Sequence, residues 1–234
     1  RIPAIPANRK WIEAVHDRSY IDRLCDACYS GKKVFEHPDN QMCSDTYDTA
    51  YLAVGGILKT IDMLMTGDID NAFCAVRPPG HHAEHDQAMG FCYFNNVAIA
   101  ARYLQDEWGV SRVAIIDFDV HHGNGTEEIF LSDDRVLLCS SYQHPFYPYT
   151  GAPSQPGHIA NVPLPAGTTG QDFRAAIEAQ WLPEIDRFAP QLIFVSAGFD
   201  AHAGDPLAQL LLTVDDYTWI TERILELAGK HAKG

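Results

Sequence analysis

Apolar residues recur along this chain in two rhythms. In NRKWIEAVHDRSYIDRLCDACYSG they return at helical spacing, which predicts one helix closed by Gly31. TYDTAYLAVGGILKTIDMLMTG predicts a second, ended by Gly67, and NNVAIAARYLQDEWG, QDFRAAIEAQWLPEIDRFA and VDDYTWITERILELAGK predict three more. The other rhythm is a short unbroken apolar run. NAFCAV reads as a strand that stops at the loop Arg77-Pro78-Pro79-Gly80. VAIIDFD, VLLCSS and LIFVSAG read as strands covered on both faces. SYQHPFYPYTGAPSQPGHIANVPLPAGTTG, rich in Pro, Gly and aromatics, predicts a long surface loop. Strands that alternate with helices imply βαβ units, so the expected fold is α/β: a mostly parallel sheet in a three-layer helix-sheet-helix sandwich. No repeat, low-complexity tract or linker divides the sequence, and one catalytic domain over 1–234 is expected.

Composition narrows the partners. The 234 residues carry 17 Lys and Arg against 31 Asp and Glu, a formal charge of -14. Such a field disfavours nucleic acid and anionic membranes and attracts cationic substrates such as lysine-rich tails or polyamines. No apolar stretch approaches the ~20 residues that span a bilayer, and no signal peptide is evident, so a cytoplasmic protein is expected. The six cysteines are scattered, as reduced thiols would be. Cys25 and Cys28 form a lone C-x-x-C inside a predicted helix and read as packing positions, since no second pair completes a zinc site.

The candidate chemistry lies at strand ends, where open α/β sheets place their sites. Asp119 and His121 follow VAIIDFD directly, in D-F-D-V-H-H-G-N-G, and Asp200 ends LIFVSAGFD. Asp, His and Asp suit a divalent transition ion with open coordination, which activates water and polarises a carbonyl. Hydrolysis also needs a base for the water and an acid for the leaving amine. The adjacent pair His81 and His82, in RPPGHHAEHDQAMGFCYFNN, supplies imidazoles for that work. Asp117 would favour the charged form of one, and Asn124 would orient a ring without adding a full charge.

RPPGHHAEHDQAMGFCYFNNVAIAA, VAIIDFDVHHGNGTEEIF and LIFVSAGFDAHAGDPLA resemble the signature blocks of the zinc-dependent histone deacetylase family. Bacterial deacetylase-like amidohydrolases and acetylpolyamine amidohydrolases belong to it. Asn124 after H-H-G is similar to the class II branch, and AVHDRSYIDRL resembles an N-terminal helix of the family. The resemblance implies an arginase/deacetylase-like fold and a metal-dependent deacetylase acting on acetylated lysine or a related acetylated amine. It implies that Asp119, His121 and Asp200 bind zinc, that His82 is the general base and acid, and that Asp117 holds His81 as its electrostatic partner. Phe91 and Tyr147 would wall an acyl-lysine tunnel, and the Gly90 carbonyl would accept from the substrate amide. Asp117 and Ser140, with backbone oxygens of Asp119, His121 and Ser141, match a structural potassium site. Polyamine-selective relatives carry a glutamate where Leu207 stands, which points to lysine-type or broad amide substrates.

One departure matters. The family completes its site with a tyrosine in a G-G-Y motif on a strand after the last helix, and no G-G-Y occurs here; the sequence stops at HAKG. Its opening, RIPAIPANRKWIEAV, also lacks the family's first strand, so the expectation is truncation at both ends. Exposed sheet edges would then favour homo-oligomers. Loss of an oxyanion donor typically costs ~10²–10³ in rate. The alternative expectation is therefore an impaired pseudoenzyme that binds acyl-lysine without turning it over. A two-metal ureohydrolase would need a carboxylate where Gly123 stands, and a serine hydrolase would need a G-x-S-x-G elbow that is not present. Iron(II) or cobalt would also suit the Asp-His-Asp set.

Overall fold

The first predicted helix is two helices. In this computed structural model, which describes residues 1–151 and 153–232, α1 (Arg9–Ile12) and α2 (Arg18–Tyr29) are separated by a turn at His16. The Asp17 amide leaves the helical ladder and donates to the carbonyl of His85 at 2.9 Å. His16 turns inward: its Nδ1 donates to the Glu84 carbonyl at 2.9 Å, and its Nε2 accepts the Asn95 amide at 2.9 Å. Tertiary partners thus override a continuous helical pattern.

That histidine carries a pH prediction. Burial drives His16 down to about 4, although its carbonyl contacts act the other way. The unfolded side chain titrates near ~6.5. Below that pH the unfolded chain takes up a proton that the folded chain refuses, so the stability contribution is complete above ~6.5 and is lost as pH falls toward about 4. The full loss is about 3 kcal/mol. In urea titrations, the stability advantage of wild type over His16→Gln should shrink by that amount between neutral and acid pH; a constant difference contradicts the assignment.

The chain forms two compact units, one of Arg1–Gly109 with Asn124–Ile129, the other of Val110–Gly123 with the described residues from Phe130 onward. In the first, a short antiparallel pair, β1 (Val34–Phe35) and β2 (His37–Gln41), precedes the helices α3 (Thr46–Met65) and α4 (Asn96–Trp108). Asn95 caps α4 by accepting the Ala98 amide, and Gly109 closes it in the left-handed region. Ile12, Ile21, Leu24, Val54, Leu58, Phe94, Ile99 and Leu104 are buried here. Cys25 and Cys28 lie on α2, half-buried and buried respectively. The segment 71–76, NAFCAV, is not the predicted strand: it has no secondary structure and is almost wholly exposed. A strand exists only through a ladder partner, and no strand among the described residues pairs with this segment.

The second unit builds a four-stranded sheet from β3 (Val113–Asp117), which precedes α5 (Asn124–Phe130) in the chain, and from β4 (Val136–Gln143), β5 (Ile159–Leu164) and β6 (Leu192–Ser196), which follow it. The order is β5-β4-β3-β6 and every pairing is parallel. β5 corrects the sequence reading, since it lies inside the segment expected to be loop. As an edge strand it tolerates Pro163, which cannot donate to a ladder. Alternate residues Ala114, Ile116, Leu137, Cys139, Ala160 and Val162 pack with Phe173, Ile177, Trp181 and Ile185 of α6 (Gly170–Phe188) and with Ile220 and Leu227 of α7 (Val214–His231). Capping boxes at Thr169–Asp172 and Thr213–Asp216 start both helices. Ala152 of the aromatic-rich segment and the last two residues of HAKG lie outside the described residues. No helix among the described residues is long and apolar enough to cross a membrane.

Candidate metal centre

Strand register decides where the second unit's chemistry falls. Asp117 of β3 pairs with Ser140 of β4 and Ser196 of β6, so β3 and β6 end level while β4 runs on to Gln143. Asp119 and His121 follow β3, and Asp200 follows β6. The three offer ligand atoms that all lie within 4.8 Å of one another. His121 Nδ1 is 3.0 Å from Asp119 Oδ1 and 3.1 Å from Asp200 Oδ2.

Backbone amides fix both carboxylates. Asp119 Oδ1 accepts the His121 amide at 2.8 Å, and Asp200 Oδ1 accepts the Val120 amide at 3.0 Å, leaving Oδ2 toward the imidazole. Burial opposes the charged form of His121, but the bonds to Asp119 and Asp200 outweigh it and raise the imidazole to about 9. Two carboxylates around one half-buried nitrogen call for a positive charge between them. This oxygen-nitrogen-oxygen set fits a divalent transition ion with further coordination positions open.

Gly198 makes room for the set. A Cβ there would stand 2.0 Å from Asp119 Oδ2 and 2.8 Å from the Asp119 Cα. Gly198→Ala should therefore displace Asp119 and weaken the affinity of this set for a divalent ion about 10–100-fold, the range seen when ligand-supporting contacts are lost. Competition against a chromophoric chelator measures it; unchanged affinity contradicts the placement.

Around this set, Tyr147 lies edge-on to His121 with ring centroids 5.9 Å apart, and Phe146 stacks on the same imidazole at 5.2 Å. Leu207 is exposed, its amide donating to Asp205. Asp117 and Ser141 are buried, and Asp117 Oδ1 accepts the Asp119 amide at 3.2 Å. Ser140 is fully buried, and its Oγ has no hydrogen-bond partner among the described residues. A buried hydroxyl without a partner is an exception that a bound water or ion would satisfy.

The first unit holds the histidine pair. His81 and His82 are buried with ring centroids 4.0 Å apart, and His82 Nδ1 lies 2.8 Å from Asn124 Oδ1. Gly90 packs beneath the His82 ring, where an added Cβ would meet Cδ2 at 2.2 Å. Its carbonyl accepts from the Cys92 thiol at 3.3 Å. Phe91 is exposed and held at φ 67, a region that costs a bulky residue strain. Asn40 keeps it there: its Oδ1 accepts the Phe91 amide, while its Nδ2 donates to the Phe35 and Ala88 carbonyls. Asn40 carries no motif signal in the sequence, and Glu84, which bonds Asn124, and Gly198 lie inside the signature blocks with no role that the motifs alone assign. A second grouping of Asp17, His85 and Asp86 also falls within 4.8 Å, but all three are exposed and His85 is engaged by Glu128.

The chain matches the histone deacetylase domain family over residues 1–233. It is 38% identical over 238 residues to the histone deacetylase-like amidohydrolase of Pseudomonas aeruginosa, covering 99% of this chain and 62% of that protein. It is 41% identical over 202 residues to a "Probable deacetylase" of Archaeoglobus fulgidus, covering 84% of this chain and 56% of that protein. The crystal structure of the HDA15 HD domain superposes with a TM-score of 0.90 at 35% identity, covering 99% of this chain and 68% of that one. The chain thus spans little more than half the length of both curated relatives.

Proposed function

The chain belongs to the histone deacetylase domain family, and from that premise we propose that it is a zinc-dependent amidohydrolase releasing acetate from acetylated lysine side chains or related amines. The reading rests above all on Asp119, His121 and Asp200, whose ligand atoms lie within 4.8 Å of one another at aligned strand ends. When bound, a divalent ion there supplies Lewis acidity toward the acyl carbonyl and a lower pKa for the attacking water. Zinc suits the set; iron(II) and cobalt do too.

The chain's own residues do the rest. His82 takes the proton of the attacking water at Nε2, since its Nδ1 is committed to Asn124. It then returns that proton to the leaving amine, so amide and water become amine and acetate. His81 and Asp117 keep the electrostatic roles that their motifs imply. Phe91 and Tyr147 flank the acyl-lysine stem, the Gly90 carbonyl receives the substrate amide, and Leu207 leaves room for lysine-type substrates. Ser140 and Asp117, adjacent in register and with Ser140 Oγ bare, fit a structural potassium ion, joined by backbone oxygens near Ser141. The charge of -14 favours cationic peptides or amines over nucleic acid or anionic membrane.

The test compares an acetyl-lysine peptide with its trifluoroacetyl counterpart, each with and without chelator. Chelator-sensitive turnover of the activated substrate supports a working centre, and turnover of both shows that the oxyanion is stabilised from within these residues. No turnover of either by zinc-loaded protein overturns the reading in favour of an acyl-lysine binder.

A further inference from the structure

Asn124 poses a problem that an aspartate would not. A carboxylate beside His82 Nδ1 can only accept, so it fixes the imidazole tautomer by itself. A carboxamide presents an oxygen in one orientation and an NH₂ group in the other. Flipped, Asn124 would donate to Nδ1, move the ring proton to Nε2 and disable the atom that must accept a proton. Something must hold the amide.

We propose that Glu84 is a positioning residue for the proton transfers: through Asn124 it selects the His82 tautomer that leaves Nε2 unprotonated. This rests on the deacetylase reading of His82 given above. Asn124 Nδ2 donates to Glu84 Oε1 at 2.7 Å, the shortest of its contacts; the His82 carbonyl at 3.3 Å and Met89 Sδ at 3.4 Å are weaker acceptors. All three are acceptors, so the end of the amide facing them must be the nitrogen. The oxygen then faces His82 Nδ1, 2.8 Å away, and that nitrogen carries the hydrogen. A flipped amide would set its oxygen against a carboxylate, losing a charge-assisted hydrogen bond and gaining repulsion.

Glu84 is not needed to hold its own loop. Its amide donates to the Gln87 carbonyl at 3.0 Å, and its carbonyl accepts from the buried His16 at 2.9 Å. The Ala83 amide donates to the Gly80 carbonyl at 3.0 Å. Backbone bonds fix the turn, and the half-buried carboxylate is left for Asn124. Gly90 pressed beneath the His82 ring keeps the imidazole from swinging away to another partner.

The experiment joins one spectroscopic and one kinetic readout on the zinc-loaded protein. Long-range ¹H–¹⁵N spectra of ¹⁵N-histidine-labelled protein, with His82 assigned by its own substitution, should show Nδ1–H in wild type. Glu84→Ala should mix in the Nε2–H tautomer and lower kcat about 10–100-fold with little change in KM. Glu84→Gln, which keeps an acceptor oxygen, should restore the tautomer and most of kcat. Glu84→Ala with Asn124→Asp should also restore the tautomer, because a carboxylate needs no orienting partner. A pure Nδ1–H tautomer and unchanged kcat in Glu84→Ala overturn the proposal. The spectra need no turnover, so failure of the deacetylase reading would leave the tautomer result standing.

Discussion

Asp119→Ala should abolish zinc binding and acyl-lysine hydrolysis together while the fold persists. The Asp119 carboxylate is one of the three proposed ligand groups and also accepts the His121 amide, so its loss would remove a ligand and loosen its neighbour. Metal catalysis contributes several kcal/mol to charge stabilisation, and each ~1.4 kcal/mol is a factor of ten, so a rate loss of at least about 10³ is expected. The side chain is only partly buried, and the β3 ladder to β4 and β6 ends before it, so the circular dichroism spectrum should not change. Zinc content by mass spectrometry, read beside turnover, checks this. Full zinc occupancy in Asp119→Ala would show that the ligand set is wrong.

His82→Ala should give the opposite split: zinc retained, hydrolysis lost. His82 belongs to the other compact unit and supplies no ligand in the set, so metal content should match wild type. General acid–base groups contribute about 10²–10⁴ in rate, and His82 is asked to act twice, once as base and once as acid. Its bond to Asn124 and the Gly90 backbone beneath its ring hold that one imidazole in place. Turnover and zinc content measured on the same preparation separate the two variants. Wild-type turnover in His82→Ala would assign the proton transfers elsewhere.

The sequence revealed most where burial is complete. β3 and β4, buried throughout, are legible as unbroken apolar runs; β6 is too, although as the other edge of the sheet it is only half-buried rather than covered on both faces as its run predicts. The Asp-x-His after β3 and the Asp after β6 point without structural help to the three groups that the fold brings together. It was least legible where pairing decides. NAFCAV has strand composition but no ladder among the described residues, whereas IANVPL has loop-like surroundings and a proline yet pairs with β4 as an edge. The break before α2 depends on His16 meeting Glu84 and Asn95 across more than sixty residues of sequence, and no local pattern encodes that. The supporting roles of Glu84, Asn40 and Gly198 were invisible for the same reason. Each acts by holding or making room for another residue, and only the folded chain shows which one.

The most direct measurement strips the protein with chelator and returns zinc in steps, following bound metal and release of acetate from a trifluoroacetyl-lysine peptide together. The ligand set predicts that activity rises in proportion to zinc and levels off at one catalytic ion per chain, with no recovery in Asp200→Ala. Hydrolysis that survives stripping, or that returns equally in Asp200→Ala, would contradict a metal centre built from Asp119, His121 and Asp200.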